Sequence, residues 1–152
     1  MDYFDPFGRA FWTVIGVAIL CGGIVGLERQ FRGKPAGVRT SILVCLGTAV
    51  FIHLGTALSG DATDPTRVLG QLVTGIGFLG AGVMFSRRGI VTGVTTAAVI
   101  WVLAAIGAAI GLGRYVGALA LAVVIVAVLV GVEVLESSVK RLTRGVHERE
   151  ED

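Results

Sequence analysis

Residues 64–113 read DPTRVLGQLVTGIGFLGAGVMFSRRGIVTGVTTAAVIWVLAAIGAAIGLG, and this stretch decides the fold. Two long apolar segments, crowded with glycine and other small residues, are joined by a short loop carrying Arg87 and Arg88. Neither apolar segment holds a charged residue. Each is about long enough to cross the hydrocarbon of a bilayer, which takes roughly 17 to 25 helical residues. In water such segments would aggregate.

The rest of the chain repeats the theme. Of 152 residues, 54% are hydrophobic and only 16% charged, against about 25% charged in soluble domains. Mean hydropathy is +0.83. A membrane bundle uses nearly all of so short a chain. Residues 11–27 form a first apolar segment, opened by Phe11 and Trp12 where interfacial aromatics are enriched. Residues 41–58 form a second and contain His53. Residues 68–85 and 91–112 are the third and fourth, and residues 115–135 the fifth. Between the first two lies QFRGKPAGVRT, a loop by its Gly33, Pro35 and Gly37. The N-terminus has no basic region and no clear cleavage site, which predicts no removable signal peptide.

The expected fold is an all-α integral membrane protein, a bundle of five transmembrane helices. It divides into a membrane domain, residues 1–136, and a charged cytoplasmic tail, residues 137–152. Five spans put the termini on opposite sides, and Lys and Arg mark the cytoplasmic one. With the N-terminus outside, ten lie inside: Arg29, Arg32, Lys34, Arg39, Arg87, Arg88, Lys140, Arg141, Arg144 and Arg149. Arg9, Arg67 and Arg114 lie outside. The bias predicts N-out, C-in.

Small residues predict how the helices meet. Lipid tails give helices no hydrophobic drive to associate, so association relies on close backbone approach. Gly70, Thr74, Gly77 and Ala81 make one stripe down segment three, Gly22 and Gly26 another in segment one, and Gly107 and Gly111 a third in segment four. Homo-oligomers built through glycine-lined faces are expected. Glycines that bend a helix near a transport path are the competing reading. Gly75-Ile76-Gly77-Phe78-Leu79-Gly80 matches the dinucleotide fingerprint literally but fails on context: no acidic residue follows until Glu133.

The polar residues are few. Asp64-Pro65 suits a helix start, with Asp64 as the cap and Pro65 at the first turn. Alternatively Asp64, Arg67 and Gln71 form an outer-face polar site. Asp2, Asp5, Asp61 and Asp64 make that face slightly acidic. Asp64 is the one candidate metal residue, since Mg²⁺ takes carboxylate oxygens while keeping most of its water. Plain solvation of a loop is the simpler reading, and no resident cofactor is expected. Glu28-Arg29-Gln30 closes segment one; Glu28 either pairs with Arg29, Arg32 or Arg39, or belongs to a gate. Arg32, Lys34 and Arg39 read as topology determinants touching anionic lipid phosphates. Thr92, Thr95, Thr96 and His53 are polar points in apolar runs, where hydroxyls return to their own backbone. Cys21 and Cys45 lie in apolar segments without redox or metal spacing. In the tail, Val132, Leu135, Val139, Leu142 and Val146 suggest an amphipathic helix. Catalytic motifs are missing, so an enzyme is not expected, and no nucleic acid partner either.

Three blocks resemble the N-terminal membrane domain of the MgtC/SapB family: GLERQFRGKPAGVRT, DPTRVLGQLVTGIGFLGAGVMF and VTGVTTAAVIWVLAAIGAAIGLG. The similarity covers roughly residues 22–113. It implies a bacterial inner-membrane protein tied to magnesium homeostasis, and a regulator of other membrane proteins more than a transporter. By motif match the family signature falls on Glu28, Arg29, Gln30, Lys34, Pro35, Arg39, Thr40, Asp64, Pro65, Arg67, Gly75, Gly77, Gly80, Gly82, Thr95 and Thr96. Many relatives continue into a soluble C-terminal domain where this chain has a short charged tail, which puts regulation through such a domain in doubt. The expected function is therefore a non-enzymatic regulator acting on another membrane protein. A small oligomeric cation channel or transporter for Mg²⁺ is the second reading. The scarcity of polar groups able to line a path favours the first.

Overall fold

The computed structural model describes the backbone of residues 5–58, 66–87 and 90–147, and side chains of residues 5–57, 66–86 and 90–138. Five helices occur among them: α1 (Arg9–Phe31), α2 (Val38–Leu58), α3 (Thr66–Gly82), α4 (Val94–Gly111) and α5 (Tyr115–His147). Four of these are long and apolar enough to cross a membrane by length and composition: Arg9–Phe31, Val38–Ala57, Val94–Gly111 and Tyr115–Ser138. The chain is a multi-pass membrane protein. The 17-residue α3 is the exception, about 26 Å long at 1.5 Å per residue.

The apolar segments expected at 68–85 and 91–112 are cut back where they approach each other. Between α3 and α4 the chain forms a hairpin of β1 (Phe85–Arg87) and β2 (Ile90–Thr92). The strands are antiparallel, with Phe85 opposite Thr92, Ser86 opposite Val91 and Arg87 opposite Ile90. Aromatic and β-branched residues favour strand geometry there. Gly93 then lets α4 begin: its φ is 88°, and an added Cβ would collide with the Val83 carbonyl oxygen.

The core is α1, α2 and α4. Ala18, Cys21, Val25, Cys45, Ala49, Leu103, Ile106 and Ile110 are fully buried in one cluster. The glycines of α1 and α4 make this possible. A Cβ on Gly22 would fall 2.7 Å from the Ile42 Cα, and one on Gly111 2.6 Å from the Ala49 oxygen. Gly26 lies equally tight on Val38, and Gly107 on Cys45. Cys21 and Cys45 are free thiols, and Cys45 Sγ donates to the Leu103 carbonyl at 3.3 Å. His53 Nδ1 is 3.4 Å from the Gly111 oxygen, tying α2 to α4.

The two remaining helices are peripheral. α5 packs on α1 and α4 through Ala118 and Ala122, and most of its side chains face outward. Its 33 residues span about 50 Å, well beyond a hydrocarbon core of about 30 Å. The helix runs through position 136 without a break. Val139, Leu142 and Val146 lie outside the described side chains. α3 rests mainly on α4, where Ile76 packs against Ile100 and Ala104.

Candidate functional site

Glu28, Arg29 and Gln30 occupy successive positions of α1, so their side chains leave the helix in three directions about 100° apart. Each reaches a different element. The Gln30 side-chain oxygen accepts the Val38 N–H at 3.5 Å, at the start of α2. Arg29 is only 3% exposed and donates from Nη2 to Thr96 Oγ1 in α4 at 2.8 Å. Glu28 accepts from Arg32 Nε at 2.7 Å, and Arg32 also pairs with Glu133 of α5. One turn of α1 thus ties α2, α4 and α5 together at one end of the bundle. The turn itself is closed by Gly33, whose φ is 62°. Its N–H bonds the Gln30 carbonyl and that of Lys34 the Arg29 carbonyl, a Schellman closure.

Around this knot lies a cavity of about 740 Å³, walled by Glu28, Arg29, Arg32, Lys34, Thr95, Thr96, Glu133 and Glu136 together with Val83, Phe85, Val128, Leu129 and Val132. The Glu28 side chain is 7% exposed. Its Oε2 and Arg29 Nε are both buried without a hydrogen-bond partner. A buried charge is costly unless paired and hydrogen-bonded, so the cavity wall carries one orphaned donor and one orphaned acceptor.

A second cavity, about 760 Å³, lies between α2 and α3. Leu43, Val44, Phe51, Leu72, Ile76 and Leu79 give it an apolar lining, with Gly47 and Gly75 on its floor. Arg39, at the start of α2, and Arg67, at the start of α3, lie at opposite ends of the antiparallel pair, and Gln71 lies along it. The two helices touch at Gly55, where Val68 leaves no room for a Cβ. Arg39, Arg67 and Gln71 are exposed.

The expected site residues therefore fall into two places. Glu28, Arg29, Thr95 and Thr96 share the first cavity, and Arg39, Arg67 and Gln71 the second. Asp64 and Pro65, with their expected cap, lie outside the described residues. Thr74 turns its hydroxyl to the Gly70 carbonyl of its own helix at 3.1 Å. Of the small-residue positions, Gly22, Gly26, Gly107 and Gly111 lie against neighbouring helices, whereas Gly70 and Gly77 have nothing among the described residues within 4 Å of an added Cβ. Ala81 is exposed. Of the three partners that the sequence offers Glu28, the structure selects Arg32; what sequence reasoning missed is Glu133, the second carboxylate on Arg32. The available signal was Glu133 itself, the first acidic residue after Asp64 and set in an apolar run.

No group of three or more His, Cys, Asp or Glu able to hold a metal occurs among the described residues, and Glu28 and Glu133 are both engaged by Arg32.

Residues 15–138 match the MgtC family. The chain is 50% identical over 96 residues to "Protein MgtC" of Brucella abortus (strain 2308), covering 63% of this chain and 40% of that one. It is 47% identical over 109 residues to "Putative magnesium transporter YhiD" of Escherichia coli (strain K12), covering 67% and 50%. It is 48% identical over 103 residues to "Protein MgtC" of Salmonella typhimurium (strain LT2), covering 68% and 44%. The chain spans half or less of the length of these curated relatives. No solved structure matches it.

Proposed function

The chain belongs to the MgtC family, and from that premise we propose that it is a non-enzymatic inner-membrane protein that regulates another membrane protein in connection with Mg²⁺ homeostasis. In this reading all five helices cross the membrane, α3 included, with the N-terminus outside and the arginine-rich end of the bundle in the cytoplasm. The link to magnesium rests on the family and on the name of the E. coli relative.

The observation that carries the regulatory reading is the groove between α2 and α3. It is apolar and runs between Arg39 and Arg67, the two helix starts that this orientation puts at opposite membrane faces. A transmembrane helix of a client protein, or of a second copy of this chain, fits such a groove better than water or ions do. A cation path would need the polar groups to line one passage. Instead Gln71 and Arg67 line the groove while Glu28, Arg29 and Thr96 line the other cavity.

Mg²⁺ entry into sealed liposomes containing the folded protein tests the choice. The regulator is expected to give no flux above empty liposomes. Flux that falls in Gln71→Leu or Glu28→Gln would establish the channel instead. Filling the groove with Gly75→Trp is expected to abolish complementation of growth in low magnesium while leaving the purified protein folded. Full complementation by that variant would count against the groove as the working surface.

A further inference from the structure

The cavity beneath the Glu28-Arg29-Gln30 turn is not used by the regulatory reading, and its chemistry points to an occupant of its own. Three cations, Arg29, Arg32 and Lys34, face three carboxylates, Glu28, Glu133 and Glu136. Arg32 binds both Glu28 and Glu133. The guanidinium of Arg29, 3% exposed, is bonded to the neutral Thr96 hydroxyl, and its Nε is unpartnered. Glu28 Oε2 is the matching orphan of opposite sign. A ligand that answers both must carry an oxyanion and an N–H donor on one small group. The remaining wall is apolar: Val83, Phe85, Val128, Leu129 and Val132. Val128 and Val132 are 55% and 51% exposed on the outer surface of α5, and α3 and α5 do not pack extensively on each other. The cavity therefore continues sideways onto membrane-facing hydrocarbon. Its apolar continuation selects an amphiphile over a free solute.

We propose that this cavity binds the headgroup of an aminophospholipid, its phosphate on Arg29, its ammonium on Glu28 Oε2, and its acyl chains along Val128 and Val132 of α5. The phosphate would supply the acceptor that Arg29 Nε lacks. Charge-assisted hydrogen bonds of this kind are stronger than neutral ones. Bound lipid would thereby brace the turn that joins α1 to α2, α4 and α5.

The full chain, purified in mild detergent, can be offered phosphatidylethanolamine, phosphatidylcholine and phosphatidylglycerol with identical chains, and bound lipid counted by native mass spectrometry. Phosphatidylethanolamine should be retained about tenfold more tightly than the other two, because one lacks the N–H donor and the other the amine. Glu28→Gln should erase the preference over phosphatidylglycerol, and Arg29→Gln should weaken all three. Should Arg29→Gln fail to fold, Glu28→Gln and the wild-type ranking still decide. Equal retention of the three lipids, or a preference that Glu28→Gln leaves intact, overturns the site. Soluble phosphoethanolamine that displaces the lipid at equal concentration would assign the cavity to a free zwitterion and overturn the lipid. None of these readouts involves a client protein or Mg²⁺ flux, so the site can fail while the regulatory reading stands.

Discussion

Two sets of glycines, alike in sequence, meet opposite fates in the structure. Gly22 and Gly26 of α1 lie on the first turns of α2, and Gly107 and Gly111 of α4 further along the same helix, each so close that a Cβ would overlap a backbone atom. Gly70, Gly75, Gly77 and Gly82 of α3 are as closely spaced, yet among the described residues nothing beyond the helix's own turns comes within 4 Å of a Cβ placed on any of them. A small-residue stripe tells that something can approach closely. It does not tell what. In α1 and α4 the approach is made inside the chain and fixes a rigid three-helix core. In α3 it is left open on a helix held mainly through Ile76 and through Gly80 beside Ala97.

The largest effect should come from Gly107→Leu. Even a methyl group there collides with the Cys45 carbonyl oxygen and with Thr48, so leucine must push α2 off α4. Overpacking of a close-packed core costs about 1–3 kcal/mol and occasionally more, and a backbone contact belongs at or above the top of that range. Gel filtration in detergent should show loss of the folded peak. A folded peak with unchanged melting would mean that the core does not depend on this approach.

A milder pair sharpens the same contrast. Gly22→Ala adds one carbon against the Ile42 backbone and should destabilise by about 1–3 kcal/mol. Gly70→Ala adds it in open space and should be neutral or gain up to about 1 kcal/mol of helix propensity. Thermal melts of the two should therefore move in opposite directions. If they move together, the helices are held by something other than the glycine contacts.

Thr96→Val probes the knot joining the core to α5. It removes the oxygen that receives Arg29 Nη2 and leaves a guanidinium already lacking a partner at Nε. An unsatisfied buried donor costs about 1–3 kcal/mol. Thr96→Ser keeps the oxygen and should retain most of the stability. Equal losses in the two would place the cost in packing and not in the hydrogen bond.

Much of the helix layout was legible in the sequence, because apolar segments of membrane length have few alternatives. Residues 11–27, 41–58 and 115–135 fall within α1, α2 and α5. The hairpin was not legible. Two three-residue strands show no period, and Phe85 and Val91 read as the ends of apolar helices. The candidate site was half legible. Glu28, Arg29, Thr95 and Thr96 stood out one by one as polar groups in apolar surroundings, but a bond between residues 67 positions apart has no local signature. Arg32 reads both as a topology determinant and as one of three candidate partners of Glu28, and Glu133 sits inside the fifth apolar segment, where nothing local assigns it a partner. Only the packing of α5 against α1 turns them into a pair.

The smallest change in stability, and the most direct challenge to the contrast, belongs to Gly77→Leu. Gly77 is exposed on α3 with open space around it, so the single chain loses nothing when a leucine stands there. Surface substitutions away from special features usually stay within about 0.5 kcal/mol, and the melting temperature should scarcely move. If the open stripe of Gly70, Gly77 and Ala81 is where copies of the chain meet, the same leucine blocks their approach. The mass of the detergent-purified protein should then fall towards that of the monomer. Reduced mass at unchanged melting would place the contact between chains and account for glycines that the monomer does not use. Reduced melting would instead mean that α3 packs more closely within one chain than its open surroundings indicate. Unchanged mass and melting would remove self-association from the stripe and leave the α2–α3 groove as the surface on which a client must be sought.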